Sequence, residues 1–399
     1  YPDGLDAVIS FSFDKHPEYG DLMWVGVGDK LGVVRLKDTT VHYFTTDPRE
    51  PYGHNAHTVY DLMRDHSTGV VWVATNFGVE KYDPGELKFA RHFLDKNIYQ
   101  GDQVAAHDVY ESRTVPGRFY IQVWNKGLLV WDRPTDMYRA LDSKTSVYHL
   151  ILDSKNRCWL GKEGSVDVVD PDNFRTLRTV KLSRVPGRPA KAIFLVEDGS
   201  GAIWVGTNND GMARIDPVTF TVQWIDLEGI PNQDKLRIWR MYTDPKKRLL
   251  LCTDELGFFR YDPATGKTDD QYAKGKLPIY VTDLVFDRNH HLWVCAEGVW
   301  RFDENDRVVD TLTLRDGLRH KTCNSIEVDA QNRIWISTYN GVHRYDPVSK
   351  TFDVFTAADG LIENFTENHM RTLSTGELFV GFQSGFNIAR TERLPVNRT

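Results

Sequence analysis

Apolar and polar positions in this chain follow one short pattern, repeated along its length. A run of apolar residues ends in an acid, as in Val281-Thr282-Asp283-Leu284-Val285-Phe286-Asp287. A polar turn follows, for example Gly199-Ser200-Gly201, and then a strand built around a large residue, as in Ile203-Trp204-Val205-Gly206-Thr207. A third strand ends on Tyr-Asp-Pro or a variant: Tyr82-Asp83-Pro84, Ile215-Asp216-Pro217, Tyr261-Asp262-Pro263 and Tyr345-Asp346-Pro347. A fourth comes next, such as Thr351-Phe352-Asp353-Val354-Phe355. Short strands separated by turn residues at regular spacing predict four-stranded meanders.

The large residue of the second strand falls at Trp24, Trp72, Tyr120, Trp159, Trp204, Leu250, Trp293, Trp335 and Phe379, so successive copies lie 39 to 48 residues apart. Self-similarity at this period marks a repeat architecture. One four-stranded sheet cannot bury both its faces. Radial stacking lets each sheet cover its neighbours and leaves only short edges. The sequence therefore predicts an all-β chain, a single β-propeller over 1–399 with about nine blades, or eight with one unit outside the ring. The repeats fall near 6–48, 57–94, 105–141, 145–182, 190–227, 236–272, 279–314, 322–357 and 367–399. A solenoid would need polar caps, and neither end reads as one. The last repeat has three clear strands. Its closing strand is expected just upstream of Tyr1, where the chain opens inside a motif, or from 394–399.

Composition changes this picture little. The chain has 399 residues, 41% of them apolar and 26% charged, with 11 Trp, which suits a protein made of strands. The net charge of −7, without a block of like charges, argues against nucleic acid or an anionic membrane as partner. No apolar run approaches 18 residues, so no membrane span is expected, and no signal peptide is visible. The four cysteines, Cys158, Cys252, Cys295 and Cys323, show no CxxC spacing, so no zinc site is expected. Cys252 and Cys295 occupy the same slot in successive repeats, too far apart for a disulfide. Enzyme fingerprints (GxSxG, HExxH, P-loop, dinucleotide and regular calcium loops) are absent, and no cofactor is expected.

The repeat text resembles the two-component regulator propeller repeat. The resemblance rests on Gly201-Ala-Ile-Trp-Val-Gly-Thr-Asn-Asn-Asp-Gly-Met-Ala-Arg-Ile-Asp-Pro217 and on Asn332-Arg-Ile-Trp-Ile-Ser-Thr-Tyr-Asn-Gly-Val-His-Arg-Tyr-Asp-Pro347. Asp359-Gly-Leu-Ile-Glu-Asn-Phe365 and Gly376-Glu-Leu-Phe-Val-Gly-Phe-Gln-Ser-Gly-Phe386 look like the closing blade of such domains. It covers nearly the whole chain and departs from the pattern at repeats three and six, where the Trp is replaced. It implies an extracytoplasmic sensor domain of a bacterial hybrid two-component receptor, periplasmic or at the cell surface. The downstream signalling modules usual in that family are not in this chain. Similar repeats also occur in propeller lyases and secretion components.

Propellers usually bind at one end of their channel, where two sets of loops meet. The turns after the second strands offer Asn76, Asn125, Asn208, Asp210, Glu255, Glu297, Asn340 and Gln383. The linkers into the first strands offer His54, Asn55, His57, Lys191, Arg237, Tyr280, His320, Asn324 and Asn364. Amides, imidazoles and cations together suit a hydroxylated or acidic sugar. The plain alternative is a solvated polar surface. His54 and His57 would serve as acid and base or contact a sugar. With no third ligand in sequence they do not suggest a metal.

A second pattern lies inside the first strands. Four residues before the terminal acid stand Ser10, Asp61, His149, Phe194, Arg240, Asp283 and Ser325, with Asp108 in register if repeat three ends at Ser112. This slot is mostly polar and the next residue mostly apolar. These side chains would line a ligand channel, or else hydrogen-bond between blades because buried charges need partners. Pairing between blades is the favoured reading.

Three functions fit. The first is a sensor that binds an oligosaccharide or another small polar ligand without catalysis. The second is a polysaccharide lyase, which would take a proton with His54, His57 or Tyr280 and neutralise a uronate with Arg237 or Lys191. The third is a scaffold holding a protein partner. No catalytic residue is assigned.

Overall fold

The structure, a computed structural model, describes the chain except for residues 1–7, 17–19, 29, 38, 45–57, 67–69, 83–88, 95–103, 125, 142–145, 254–255, 270–279, 367–368 and 395–399. The repeats form nine antiparallel sheets. Among the described residues eight sheets have four strands, and the one spanning 59–82 has three. The chain is a β-propeller fold of meander blades, as the repeat predicts. Its residues fall into two compact units, 1–91 with 358–362 and 92–357 with 363–399.

The first unit holds the sheets spanning 8–44 and 59–82, packed through Trp24, Leu31, Val59, Leu62, Val71 and Val73. The second holds the other seven sheets, numbered one to seven in chain order below. The sixth and seventh meet along their first strands, Cys323–Val328 and Met370–Thr372. The seventh packs in turn on the first strand of the first sheet, Ala106–Glu111, so the unit closes on itself. Apolar clusters fill the gaps between neighbouring sheets, for example Trp159 and Val168 with Leu195 and Val205.

The closing strand comes from neither place the sequence suggested. Ala90–Phe93 completes the seventh sheet. The Leu94 amide donates to the Ser384 carbonyl at 3.1 Å, and His92 stacks on Phe386 with ring centroids 4.6 Å apart. A side chain on Gly385 would collide with the His92 carbonyl, which is why the position is glycine. Period-two alternation identifies Ala90–Phe93 as a strand but cannot say which sheet it joins.

The acid before each turn and the Trp after it act together. Trp159, Trp204, Trp293 and Trp335 donate their indole N–H to Asp153, Asp198, Asp287 and Asp329 at 2.9, 2.7, 3.0 and 2.9 Å. The other oxygen of each carboxylate accepts backbone N–H groups of the intervening turn. The buried carboxylate is thereby satisfied and fixes both the turn and the ring. Where the Trp is missing, Tyr120 donates to Asp172 at 3.1 Å, and Asp244 holds Arg248 at 2.8 Å just as Asp153 and Asp329 hold Arg157 and Arg333 beside their Trp. Gly161 and Gly206 of the second strands have another reason to be glycine. A Cβ there would stand 2.7 Å from the Ala192 carbonyl oxygen and 2.4 Å from that of Ile238, so only glycine lets the next sheet approach.

Candidate functional site

The first strands of the second unit are not regular. In Ala106–Glu111, Ala192–Glu197, Ile238–Thr243 and Cys323–Val328 the pairing skips one residue: His107, Ile193, Trp239 and Asn324. At the same place in the second and fifth sheets, the Tyr148 and Thr282 amides donate to the Gly161 and Cys295 carbonyls, residues that already face His149 and Asp283. A bulge bends its strand and re-aims one side chain. Here all six extra residues line a single cavity of about 490 Å³. That volume lies in the range of small-molecule sites, about 300–1,000 Å³.

The walls come from the ends of the second strands (Trp124, Tyr339, Gln383) and from the linkers into the first strands (Arg237, Tyr280, Thr322). The floor comes from the slot four residues before the terminal acid: His149, Phe194 and Arg240, with His369 in the seventh sheet. Rings run around it in near contact. His149 stacks on Phe194 at 3.9 Å, Phe194 lies 6.5 Å from His369, His369 4.9 Å from His107, and His107 5.3 Å from Trp124. Trp239 stacks on Tyr280 at 4.9 Å, and the Lys191 ammonium sits 4.6 Å from the centre of the Tyr148 ring.

The floor histidines are held neutral. Burial and the Arg240 charge push His107 down to about 4, and burial, against the pull of Asp108, pushes His149 down to about 3. Burial and Arg240 also hold His369 well below its ordinary value. Their hydrogen bonds fix the tautomers. His149 Nδ1 accepts the Leu195 amide at 3.2 Å, so its Nε2 carries the proton. His369 Nδ1 accepts from Arg240 at 3.1 Å, so its Nε2 is a donor too. The His149 Nε2 group is buried and makes no hydrogen bond within the protein.

Beneath the floor the slot residues pair between sheets, as the sequence reading favoured. Arg371 grips Asp108 at 2.7 Å, and Asp283 accepts from Tyr242 and, at 2.7 Å, from Ser325. Arg240 lies 3.6 Å from Asp283. Although burial opposes it, the Arg371 guanidinium holds Asp108 below the usual carboxylate range. Desolvation beside these groups pushes the half-buried Glu327 up to about 7. The slot does two jobs, since His149 and Arg240 both line the cavity and bond to the next sheet. A small version recurs in the first unit, where Ser10 donates to Asp61 at 2.7 Å and accepts the Leu62 amide.

Of the rim residues named from sequence, Arg237, Tyr280, Asn324 and Gln383 line the cavity. Lys191 stands against Tyr148, and His320 packs on Tyr339 with ring centroids 5.1 Å apart. The others do local work. Asp210 pairs with Arg188, and Glu297 with Lys321 at 3.4 Å. Asn364 accepts the Ala357 amide, and the Asn208 and Asn340 amides donate to Lys191 and Thr338. Asn76, in the first unit, accepts the Thr58 amide. His54, Asn55, His57, Asn125 and Glu255 lie outside the described residues. Sequence reasoning missed His107, Trp124, Tyr148, Trp239 and Tyr339. Two of these, Trp124 and Tyr339, sit one residue before the amides that were chosen.

All four cysteines are buried and free. Among the described residues no group of three or more His, Cys, Asp or Glu is arranged to hold a metal, and no helix is long and apolar enough to cross a membrane.

No family model matches the chain. It is 22% identical over 259 residues to histidine kinase P4 of Formosa agariphila, a match covering 60% of this chain and 18% of the kinase. Its fold is similar to the extracellular domain of the hybrid two-component system BT3049 from B. thetaiotaomicron, with a TM-score of 0.76 at 16% identity, over 96% of this chain and 51% of that one. It is also similar in fold to a streptogramin B lyase, with a TM-score of 0.59 at 13% identity, over 77% and 99% of the two chains. The chain thus spans about half of the solved extracellular domain and under a fifth of the kinase. The resemblance read from the repeat text, to extracellular domains of hybrid two-component systems, is borne out by these neighbours.

Proposed function

We propose that this chain is the ligand-recognition part of a bacterial extracytoplasmic receptor, and that it binds an oligosaccharide in the cavity at the end of the second unit's channel. The observation that carries the reading is the cavity's lining. Aromatic side chains (Trp124, Tyr148, Trp239, Tyr280, Tyr339) and hydrogen-bonding groups (His149, His369, Arg240, Gln383) together line a space of about 490 Å³. Sugars need both: flat apolar surfaces for their C–H faces and rigid polar partners for their hydroxyls. The likeness to a histidine kinase and to an extracellular two-component domain supports the receptor part of the reading.

A glycan panel read by thermal unfolding tests it, with absorbance of unsaturated uronate followed in the same wells. Ligand at a hundred times Kd adds about 2.7 kcal/mol of stability. A shift without product is expected. Product formation would replace recognition with lyase chemistry. The absence of any shift across the panel would favour a protein-binding scaffold and overturn the proposal.

A further inference from the structure

We infer that Cys295 and Cys323 join in a disulfide that ties the fifth sheet to the sixth when the chain folds where thiols are oxidised. The inference takes from the reading above only its extracytoplasmic setting, where disulfides form and persist, and it needs no ligand. It starts from the backbone. Cys295 lies in the second strand of the fifth sheet, Leu292–Ala296, and Cys323 opens the first strand of the sixth, Cys323–Val328. Next to them Glu297 and Thr322 form an antiparallel bridge, and the Gly298 amide donates to the Lys321 carbonyl at 2.7 Å. The Thr282 hydroxyl reaches both cysteine carbonyls, that of Cys323 at 2.6 Å and that of Cys295 at 3.2 Å. The two backbones are therefore held side by side where the sheets meet.

The side chains meet in the gap between those sheets. Both belong to the apolar cluster that fills it, with Trp293, Ile326 and Ile336, and the two thiols hydrogen-bond. Cys158 and Cys252 lie in two other clusters, each without a second cysteine. Exchange with a disulfide donor, such as a thiol–disulfide oxidoreductase, balances the step. One cysteine thiolate attacks a donor sulfur, and the first donor thiolate leaves. The second cysteine thiolate attacks the mixed disulfide and expels the other. One S–S bond forms, the donor's S–S bond is reduced, and the two cysteine protons end on the donor's thiols. In the folded chain both cysteines are fully buried, and burial beside Cys323 holds the Cys295 thiol well above its ordinary range. The exchange therefore belongs to folding, before the sixth sheet docks on the fifth, and the same burial then shields the bond from reductant. The link would brace the cavity wall, because Thr282, Thr322 and Asn324 line it beside the two cysteines.

A thiol count on the wild-type chain tests this. The chain is secreted into a bacterial periplasm, purified without reductant and unfolded in denaturant with a maleimide, and the tags are counted by mass spectrometry. Two tags are expected, on Cys158 and Cys252, with Cys295 and Cys323 recovered in one linked peptide. Reduction beforehand should raise the count to four. Cys158→Ser should leave one tag and the same link. The linked chain should unfold at a higher denaturant concentration than the reduced chain, and Cys295→Ser should abolish that difference. Four tags without reduction, or a link through Cys158 or Cys252, would overturn the inference. Equal midpoints for the linked and reduced chains would overturn the bracing of the wall. Neither readout uses a saccharide, so either failure leaves ligand recognition standing, and a failed glycan panel leaves the thiol count unchanged.

Discussion

At one end of the first strands of five successive sheets the same residue recurs: Asp153, Asp198, Asp244, Asp287 and Asp329. Five positions earlier stand Tyr148, Ile193, Trp239, Thr282 and Asn324, no two alike. Both ends are set by local geometry, one by a turn and one by a bulge. The acid repeats because each copy has the same task, to hold its own turn and, in four of the five, the indole ring beyond it. The bulge residues differ because together they face one cavity, each from its own direction. Within a repeat protein, sameness marks what each unit needs to fold, and variation at a geometrically fixed position marks what the units build jointly.

The largest way to break this comparison is acid. His107, His149 and His369 sit neutral at the variable end, while an unfolded chain would hold them near 6.5. Each folded value lies below the unfolded one. The unfolded chain therefore binds more protons below pH 6.5, and the stability these groups contribute is complete above that pH. It is lost as pH falls towards the folded values, by about 1.4 kcal/mol per pH unit per group. Asp108 opposes the loss, while Arg240 and Arg371 beside the rings reinforce it. Between pH 6.5 and 4.5 His107 and His149 together cost on the order of 5 kcal/mol, a large part of the stability of a typical domain, and His369 shifts in the same direction. Denaturant midpoints measured from pH 7.5 to 4.5 should fall steeply below 6.5, and His149→Gln should remove about one proton from the slope. A flat profile would mean that the rings are hydrated and that the floor is not the closed donor surface described.

The constant end breaks by a smaller amount and in a different observable. Trp335→Phe keeps most of the buried ring but removes the indole N–H that Asp329 accepts at 2.9 Å. Asp329 keeps Arg333 at 2.7 Å, so the carboxylate is weakened rather than stranded. The expected loss is about 1–3 kcal/mol, against about 3–5 kcal/mol for Trp335→Ala. Saccharide affinity should stay within two-fold in the phenylalanine variant. A larger drop in affinity would couple the two ends and undo the division of labour.

How much of this was legible follows from the same geometry. The strands, the turns and the nine-fold repeat could be read from alternation, because sheet faces bury every second residue. The pairing of the slot residues was legible too: Asp108, Arg240 and Asp283 are too costly to bury alone, and each has a partner in a neighbouring sheet. The cavity was half legible. Arg237, Tyr280, Asn324 and Gln383 lie on loops where polar residues stand out. Tyr148, Ile193 and Trp239 looked like strand residues continuing the alternation. The bulge that turns them inward adds one residue without changing composition, so counting by twos passes over it. The closing strand was hidden for a similar reason, since Ala90–Phe93 carries the pattern of a fourth strand whichever sheet it joins.

The smallest effect sharpens the comparison at a single wall residue. Tyr280 is 50% exposed and stacks on Trp239 at 4.9 Å with 25° between the rings. Tyr280→Ala removes a face on which a sugar would lie but little of the buried core. Unfolding stability should change by less than about 1 kcal/mol, the usual range for a half-exposed side chain. Saccharide affinity should fall about ten-fold, which corresponds to about 1.4 kcal/mol of lost stacking. Calorimetric titration and a denaturant curve on the same preparation read both numbers. Equal losses in the two would make Tyr280 a structural residue of its linker. A loss of affinity alone would place it in the binding surface, with Trp239 behind it as the fixed support.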